Sequence, residues 1–181
     1  MSQTLKKSLY GLTLSELQTL CAELSLPRFA AKQIARWLYV RRVKTIEEMT
    51  DLSKAARAAL EEHYELGLAS PLKESCSADG TKKYLFRTSQ GEYIESAYIP
   101  DGERATLCVS SQAGCRMGCR FCATGRQGLQ HSLSTTEIIN QILSIPESER
   151  LTNLVFMGMG EPLDNMDNVM KALVIIPAPW G

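Results

Sequence analysis

Three cysteines within eight residues are the part of this sequence most able to do chemistry. Cys115, Cys119 and Cys122 form a C-x3-C-x2-C motif in a stretch rich in Gly and Arg. Thiolates ligate iron–sulfur clusters, zinc and copper(I), so the ligand type alone does not select the metal. Three thiolates on one short loop can occupy three corners of a cubane cluster and leave one iron without a protein ligand.

Zinc and unliganded thiols are alternatives for the same residues. A structural zinc site uses four protein ligands, and Cys108 or His131 could supply the fourth. The cysteines could also be buried free thiols. Residues 1–7 lack the apolar stretch of a secretory signal, and clustered cysteines in such a chain favour a metal or redox site over a disulfide framework.

The composition is that of an ordinary globular protein without a membrane span. Among 181 residues, 44% are hydrophobic, and 20 Lys and Arg balance 20 Asp and Glu. No run of about 18 apolar residues occurs, so we expect no membrane association and a cytoplasmic location. Zero net charge excludes a global attraction to nucleic acid, but it does not exclude a local basic patch.

The elements that must position the cysteines follow from periodicity. Residues 1–67 show helical spacing and predict an all-α domain. Helix-starting patterns occur at Thr13, at Thr45, and at either Asp51 or Ser53, whose helix is expected to run through Tyr64.

A basic stretch in this helical domain is a candidate RNA contact. Between Ser25 and Thr45 there are six basic residues and no acidic one. Arg28, Lys32 and Arg36 recur every four residues and therefore line one helix face, from which they could follow a phosphate backbone. A solvated helix face is the plain alternative.

From residue 68 onward the periodicity changes to that of strands. Residues 68–100 predict a β-hairpin linker region, and residues 101–181 predict the first βα units of a parallel α/β domain. Two βα units cannot close a barrel, so we expect the chain to be the front part of a larger protein. The predicted elements are strands at 82–88, 92–99 and 105–110, an irregular cysteine stretch at 112–131, a helix capped at Ser134, an apolar strand at 154–157 buried on both faces, and a helix at 166–176.

The sequence segments around the cysteines resemble those of a known superfamily. The cysteine motif after a strand, followed one βα unit later by Gly158-Met159-Gly160-Glu161-Pro162, resembles the radical S-adenosylmethionine (SAM) superfamily. The flanking words, residues 104–112 and 156–163, look like those of the RlmN/Cfr family of RNA adenine-C2 methyltransferases, and of its RlmN branch in particular. The helical front and the strand at 92–100 match too, so the resemblance covers essentially the whole chain.

The resemblance implies cofactors, substrates and a fold. Cys115, Cys119 and Cys122 would hold a [4Fe-4S] cluster, and Gly160 and Glu161 would bind SAM. The fold would be a partial (β/α)6 radical SAM barrel that follows a helical RNA-binding domain and a β linker. The substrates would be C2 of adenine in 23S rRNA, at the peptidyl transferase centre, and in the tRNA anticodon loop. An electron donor of the flavodoxin or ferredoxin type and a monomeric state are implied as well.

Two further residues acquire catalytic roles through the resemblance. A cysteine at the position of Cys108 would release an RNA crosslink by forming a transient disulfide with a methyl-carrying cysteine, which belongs to a C-terminal part that these 181 residues do not contain. A glutamate at the position of Glu95 would accept a proton. Strand alternation places Glu95 beside Tyr93, Ala97 and Ile99, and a carboxylate on an apolar face suits a general base.

Two rival functions stay open. Another radical SAM enzyme could use the same cluster for a different substrate, or the chain could be a non-catalytic zinc or RNA-binding module. Neither Cys21 nor Cys76 lies in a matching word, so neither is a candidate carrier cysteine. We therefore do not expect methyl transfer by this chain alone.

Overall fold

The computed structural model describes residues 6–178 and divides them into two compact units. Residues 6–67 together with 173–178 form the first unit, and residues 68–172 form the second. Residues 1–5, which belong to the stretch where we expect no secretory signal, and residues 179–181 lie outside the described range. None of the helices within 6–178 combines the length and apolar character that crossing a membrane requires.

The first unit is built from short helices that begin where the capping residues predict. Thr13, Thr45 and Ser53 are the N-terminal caps of three of them, and the Thr13 backbone N–H donates to Glu16 Oε2 at 2.8 Å to complete a capping box. The core contains buried Leu17, Leu20, Ile34, Leu38 and Leu60. The elements are α1 (Leu14–Glu23), α2 (Ala30–Ala35), a π-helical segment (Arg36–Val40), a 3-10 turn (Ile46–Glu48) and α3 (Lys54–His63).

The prediction that the last of these helices runs through Tyr64 is wrong. α3 ends at His63, and strand β1 (Lys7–Ser8) pairs in parallel with strand β2 (Tyr64–Glu65). The Tyr64 backbone is extended and its side chain is buried. A strand of two residues carries no periodicity, so the sequence pattern could not reveal this pairing.

The second unit combines a mixed sheet, a hairpin and helices. The last helix continues past the residues of this unit to Ile175. The strands are β3 (Lys73–Cys76), β4 (Lys82–Arg87), β5 (Tyr93–Asp101), β6 (Arg104–Cys108), β7 (Gln112–Cys115), β8 (Gly128–Ser132) and β9 (Asn153–Val155), and the helices are α4 (Ala123–Gln127), α5 (Thr135–Leu143) and α6 (Met166–Ile175).

The five-stranded sheet has the order β3–β4–β5–β6–β9. All neighbours are antiparallel except the parallel pair β6–β9, so parallel pairing is confined to the two strands that lead toward the predicted site. β5 runs without a break past residue 100, where the sequence analysis ends the linker, and it pairs with both β4 and β6. The division of the chain into three regions stays a prediction.

One face of this sheet is buried and the other is open. Alternation along β4 and β5 buries Tyr84, Phe86, Ile94 and Tyr98. Tyr84 Oη donates to Glu147 Oε2 at 2.5 Å, so the segment that follows α5 covers this face. The open face carries Tyr93, Glu95, Ala97 and Ile99 of β5 and Cys108 of β6.

The apolar strand predicted at 154–157 is shorter and less buried than expected. β9 ends at Val155, Leu154 and Val155 are only half-buried, and Met157 is 80% exposed. The reason is the sheet order, because within residues 6–178 β9 has a single neighbour, β6, and is therefore an edge strand.

The cysteine stretch predicted as irregular contains a hairpin. β7 and β8 pair antiparallel on either side of α4, and Cys115 is the last residue of β7. Gly114 makes the pairing possible, because a Cβ built there would lie 1.9 Å from the Gly128 carbonyl oxygen. This hairpin has few β-branched residues, so propensity gave no signal for it.

Leu107 lies in the middle of the sheet and is fully buried, and Leu163 is 75% exposed. We expect Leu107→Ala to lower the free energy of unfolding by about 2–5 kcal/mol, because the deletion leaves a cavity between packed layers. Leu163→Ala removes the same atoms from water-exposed surface and is expected to cost less than ~0.5 kcal/mol. Chemical denaturation of the two variants measures both values, and equal losses would contradict the described core.

Candidate functional site

A run of buried polar residues links β6 to the cysteines. Ser110, Ser111 and Gln112 are each at most 1% exposed, although all three side chains are polar. The buried Gln141 amide of α5 pairs with the Ser110 backbone, accepting its N–H at 2.9 Å and donating to its carbonyl oxygen at 3.0 Å. α5 therefore fixes the path of the chain just before it enters β7.

The glycine loop, residues 158–162, is hydrogen-bonded to this same run. The Met159 carbonyl oxygen accepts the N–H of Ser111 at 2.8 Å and that of Gln112 at 3.2 Å. Gly158 N–H donates to the Val109 carbonyl oxygen at 3.1 Å, and Met159 N–H donates to Ser110 Oγ at 2.8 Å. The glycine loop is therefore joined to the residues that precede the cysteine motif, at the ends of the parallel pair β6–β9.

Gly160 is required by the close approach of the loop to β7. Its φ is +97°, and a Cβ at this position would lie 2.6 Å from Gln112 Cβ. Both facts exclude a larger side chain. The backbone N–H of the next residue, Glu161, donates to Gln112 Oε1 at 3.0 Å, while its carboxylate accepts the Leu163 N–H at 3.2 Å.

The three cysteines occupy the cysteine segment, residues 115–122, and differ in exposure. Cys115 is buried, Cys119 is exposed and Cys122 is half-buried, and none forms a disulfide. The backbone N–H of Gly125 lowers the pKa of the Cys122 thiol, with a smaller contribution from Thr124. Within residues 6–178, no three His, Cys, Asp or Glu side chains are gathered closely enough to hold a metal ion.

The donor set of this segment fits a thiolate-bound cluster. The thiols are free, and a lowered pKa at Cys122 favours the thiolate, which is the form that binds metal. Residues 116–122 contain no helix or strand, so the cysteines can converge without breaking regular structure. Ligand convergence on binding is common, because few metal sites are preformed.

Cys108 and Glu95 lie on the same face of the sheet. Cys108 pairs with Ala97, two residues from Glu95, and burial raises the pKa of the Cys108 thiol. Ser110 Oγ donates to the Glu95 carbonyl oxygen at 2.5 Å, which ties this strand to the glycine loop.

Glu95 lies on the same face as its predicted neighbours, and this face is open to solvent. Its side chain is 48% exposed and forms an ion pair with Lys83 at 3.0 Å. Alternation correctly groups it with Tyr93 and Ile99, but these neighbours are themselves 53% and 42% exposed, because this is the open face of the sheet. The catalytic role of Glu95 stays a prediction.

His131 is engaged elsewhere. Its Nε2 lies 3.2 Å from Glu137 Oε2, and this carboxylate also accepts the Ser134 and Ser89 backbone N–H groups through its two oxygens. The structure does not bring His131 or Cys108 together with the three cysteines as a zinc-type ligand group in the part of the chain that it describes.

The polar residues that hold the two motifs together were missed by the sequence analysis. Ser110, Gln112 and Gln141 received no role, although each bridges separate segments. A signal was present, because three consecutive polar residues between an apolar strand and a cysteine motif are unusual for buried chain. The pattern could not identify their partners, which lie about 30 and 50 residues away.

Comparison with known proteins finds two family regions in the chain. Residues 7–66 match the ribosomal RNA large subunit methyltransferase N-terminal domain, and residues 109–179 match the radical SAM superfamily. A Phocaeicola vulgatus protein described as a probable dual-specificity RNA methyltransferase RlmN is 57% identical over 99% of this chain and 51% of its own length. A Geotalea uraniireducens protein described as a dual-specificity RNA methyltransferase RlmN is 47% identical over 97% of this chain and 51% of its own length.

A solved structure supports the same relationship. The crystal structure of a radical SAM methyltransferase from Sphaerobacter thermophilus has a TM-score of 0.87 and 39% identity, covering 97% of this chain and 53% of that one. The chain spans about half the length of the curated relatives it matches.

The matched radical SAM region contains both the cysteine segment and the glycine loop. This region is therefore similar to the radical SAM superfamily, whose members use SAM and a [4Fe-4S] cluster. The predicted mixed α/β fold with part of a radical SAM domain is confirmed. A region that matches the N-terminal domain of ribosomal RNA large subunit methyltransferases precedes the radical SAM region, so nearly the whole chain is similar to about half of an RlmN protein.

Gly160→Ala tests the contact between the loop and β7. We expect the amide hydrogens of Ser111 and Gln112, which donate to Met159, to lose protection in this variant, because the new Cβ forces the loop away. Gly102→Ala is the matched control, since Gly102 also has a positive φ but a Cβ there meets nothing within 4 Å.

In Gly160→Ala, the free energy of opening at the Ser111 and Gln112 amides is expected to fall by about 2 kcal/mol or more. Gly102→Ala introduces only backbone strain, which costs ~1 kcal/mol. Residue-resolved hydrogen exchange measures both changes. Unchanged protection at Ser111 and Gln112 would contradict the described loop.

Proposed function

We propose that this chain provides the cofactor-binding and RNA-contacting part of a methyltransferase that modifies C2 of adenine in 23S rRNA and tRNA. The observation that supports the proposal is the set of backbone hydrogen bonds between the glycine loop and residues 109–112, which lead into the strand that ends at Cys115. The names of the curated relatives, which are dual-specificity RNA methyltransferases, support the substrate class.

In this proposal, Cys115, Cys119 and Cys122 hold the cluster. Gly160 lets the glycine loop lie close against Gln112, and the Glu161 carboxylate accepts a hydrogen bond from the amino group of SAM. When bound, the cluster and SAM supply the radical that activates an unreactive methyl group. The protein contributes position and shielding, since the cysteine segment begins at the end of β7 and the glycine loop follows β9.

Glu95 and Cys108 act on the open face of the sheet. Glu95 accepts the proton that leaves adenine C2, because its carboxylate is 48% exposed on the open face, 3.0 Å from Lys83 Nζ, where a substrate can approach it. Cys108 attacks the sulfur of a carrier cysteine, outside the six of this chain, that is crosslinked to the RNA; the S–S bond forms as the carbon–sulfur bond of the crosslink breaks, and the electron pair of that bond leaves with the methylated adenine. The raised pKa of Cys108 keeps it a thiol until a base or a substrate approaches.

The basic stripe of the first unit contacts RNA. Arg28, Lys32 and Arg36 are all exposed, and within residues 6–178 none of them forms a salt bridge. Phe29 on the same stretch is 66% exposed, and an aromatic ring beside unpaired cations can stack on an unpaired base. The RNA substrate makes the cytoplasm the expected compartment, and a flavodoxin or ferredoxin type protein the expected electron donor.

Anaerobic reconstitution with iron and sulfide tests the cluster. We expect the chain to take up about four irons per protein with visible charge-transfer absorbance, and each of Cys115→Ser, Cys119→Ser and Cys122→Ser to lose most of it, because three thiolates are needed. Cys76→Ser is the matched control, since Cys76 is exposed and lies outside the segment. Stoichiometric colourless zinc in place of iron would favour a zinc module instead.

RNA affinity tests the basic stripe. We measure binding to a tRNA anticodon-loop RNA at several salt concentrations. Removing the three stripe charges is expected to reduce the slope of log affinity against log salt concentration by about two, because fewer counterions are then released from the RNA on binding. Equal loss in a variant that removes three other exposed charges would contradict a specific stripe. The stripe variant carries Arg28→Gln, Lys32→Gln and Arg36→Gln, and the control carries Lys54→Gln, Lys73→Gln and Arg150→Gln.

A further inference from the structure

One carboxylate oxygen joins the glycine-loop side of the site to the cysteine segment. Asp164 lies in the 3-10 turn Pro162–Asn165, directly after the glycine loop. Its Oδ2 accepts Arg116 Nε at 2.8 Å and Gln112 Nε2 at 2.8 Å. These two donors stand on either side of Cys115, so a single atom is bonded to the chain before and after the first cysteine.

Gln112 connects Asp164 to the glycine loop through hydrogen bonds at both ends of its side-chain amide. Its side chain is fully buried, its Oε1 accepts the Glu161 backbone N–H at 3.0 Å, and its Nε2 also lies 3.2 Å from Ser132 Oγ. Every polar atom of the amide is therefore partnered, and the Asp164 carboxylate fixes which way the amide faces. Moving Asp164 would move the group that holds Glu161.

Arg116 connects Asp164 to the cysteine segment, of which it is part. Within residues 6–178, its bond to Asp164 is the one salt bridge made by residues 115–122. Residues 117–121 are exposed to solvent, with Phe121 93% exposed and Met117 49% exposed. Asp164 is only 20% exposed, so the charge-assisted bond is partly shielded from water and restrains a segment that has few other restraints.

We propose that Asp164 is a positioning residue that couples the cysteine segment to the glycine loop through Arg116 and Gln112. The proposal rests on the proposed function, because it concerns the site in which the two segments hold a cluster and SAM. Asp164 itself touches neither cofactor in this scheme. Removing the Asp164 carboxylate loosens the cysteine segment, while the hydrogen bonds to the Met159 carbonyl oxygen keep the glycine loop against β7. SAM affinity therefore falls while the stability of the fold is kept.

Hydrogen exchange of the metal-free chain tests the coupling without any cofactor. We expect Asp164→Asn and Arg116→Gln each to speed amide exchange in residues 116–127 by roughly fivefold or more, and the double variant to match the single ones, because both changes break the same bond. The Ser111 and Gln112 amides are expected to keep their protection. Additive effects of the two substitutions, or no effect, would overturn the proposal.

Matched controls separate this effect from general loss of charge. Asp167→Asn removes an exposed carboxylate three residues further along, and Arg120→Gln removes an exposed guanidinium of the same cysteine segment. Both are expected to leave exchange in 116–127 within twofold of the unsubstituted chain. Equal acceleration by these controls would also overturn the proposal.

SAM binding to the reconstituted chain gives the second readout. We expect Asp164→Asn and Arg116→Gln each to weaken SAM binding roughly tenfold, with no further loss in the double variant and with iron content and thermal midpoint unchanged. Full SAM affinity in Asp164→Asn would contradict the positioning role. A chain that takes up no iron or binds no SAM would instead refute the proposed function, and the exchange experiment would still decide whether Asp164 couples the two segments.

Discussion

The site depends on a short set of backbone hydrogen bonds between the segment that follows β6 and the segment that follows β9. The Met159 carbonyl oxygen accepts two consecutive N–H groups, and Gly158 returns a third bond to Val109. These strands are parallel neighbours, so their carboxyl ends meet at one edge of the sheet, where ligands bind in folds of this kind. A side chain at Gly160 would clash with Gln112 and separate the segments. The glycine pattern is therefore a packing requirement as well as a cofactor motif.

Buried polar side chains, rather than apolar contacts, stabilise the arrangement of these two segments. Ser110 Oγ bridges the Glu95 carbonyl oxygen and the Met159 N–H, and Gln141 satisfies the Ser110 backbone from α5. Leaving such a buried group unpaired costs about 1–3 kcal/mol, so each bond also excludes alternative arrangements of the loop. A polar core of this kind specifies one geometry, which radical chemistry needs because the reactive atoms must be held in place.

The sequence predicted the local features of this fold well and the long-range ones poorly. The capping residues Thr13, Ser53 and Ser134 begin the helices they were expected to begin, because a cap is a contact within one turn. The cysteine motif was found because its residue types are unusual at that spacing, and the glycine loop was found through the family resemblance. The burial of Met157 was mispredicted, since an apolar run cannot say whether a second neighbour covers the strand, and alternation assigned Glu95 to a face without saying whether that face is covered. The β7–β8 hairpin, the partners of Gln112 and the bond from Arg116 to Asp164 depend on tertiary contacts that no periodicity encodes.

The central claim is that the glycine loop and the cysteine segment form one cofactor site. The most direct test is electron paramagnetic resonance of the anaerobically reconstituted, reduced chain, recorded with and without SAM. The account predicts a cluster signal whose g-values change when SAM is added, because the cosubstrate binds the iron that the three cysteines leave open. It also predicts that Gly160→Ala retains the cluster signal and loses the change. A signal that SAM leaves unaltered in the unsubstituted chain would contradict the account.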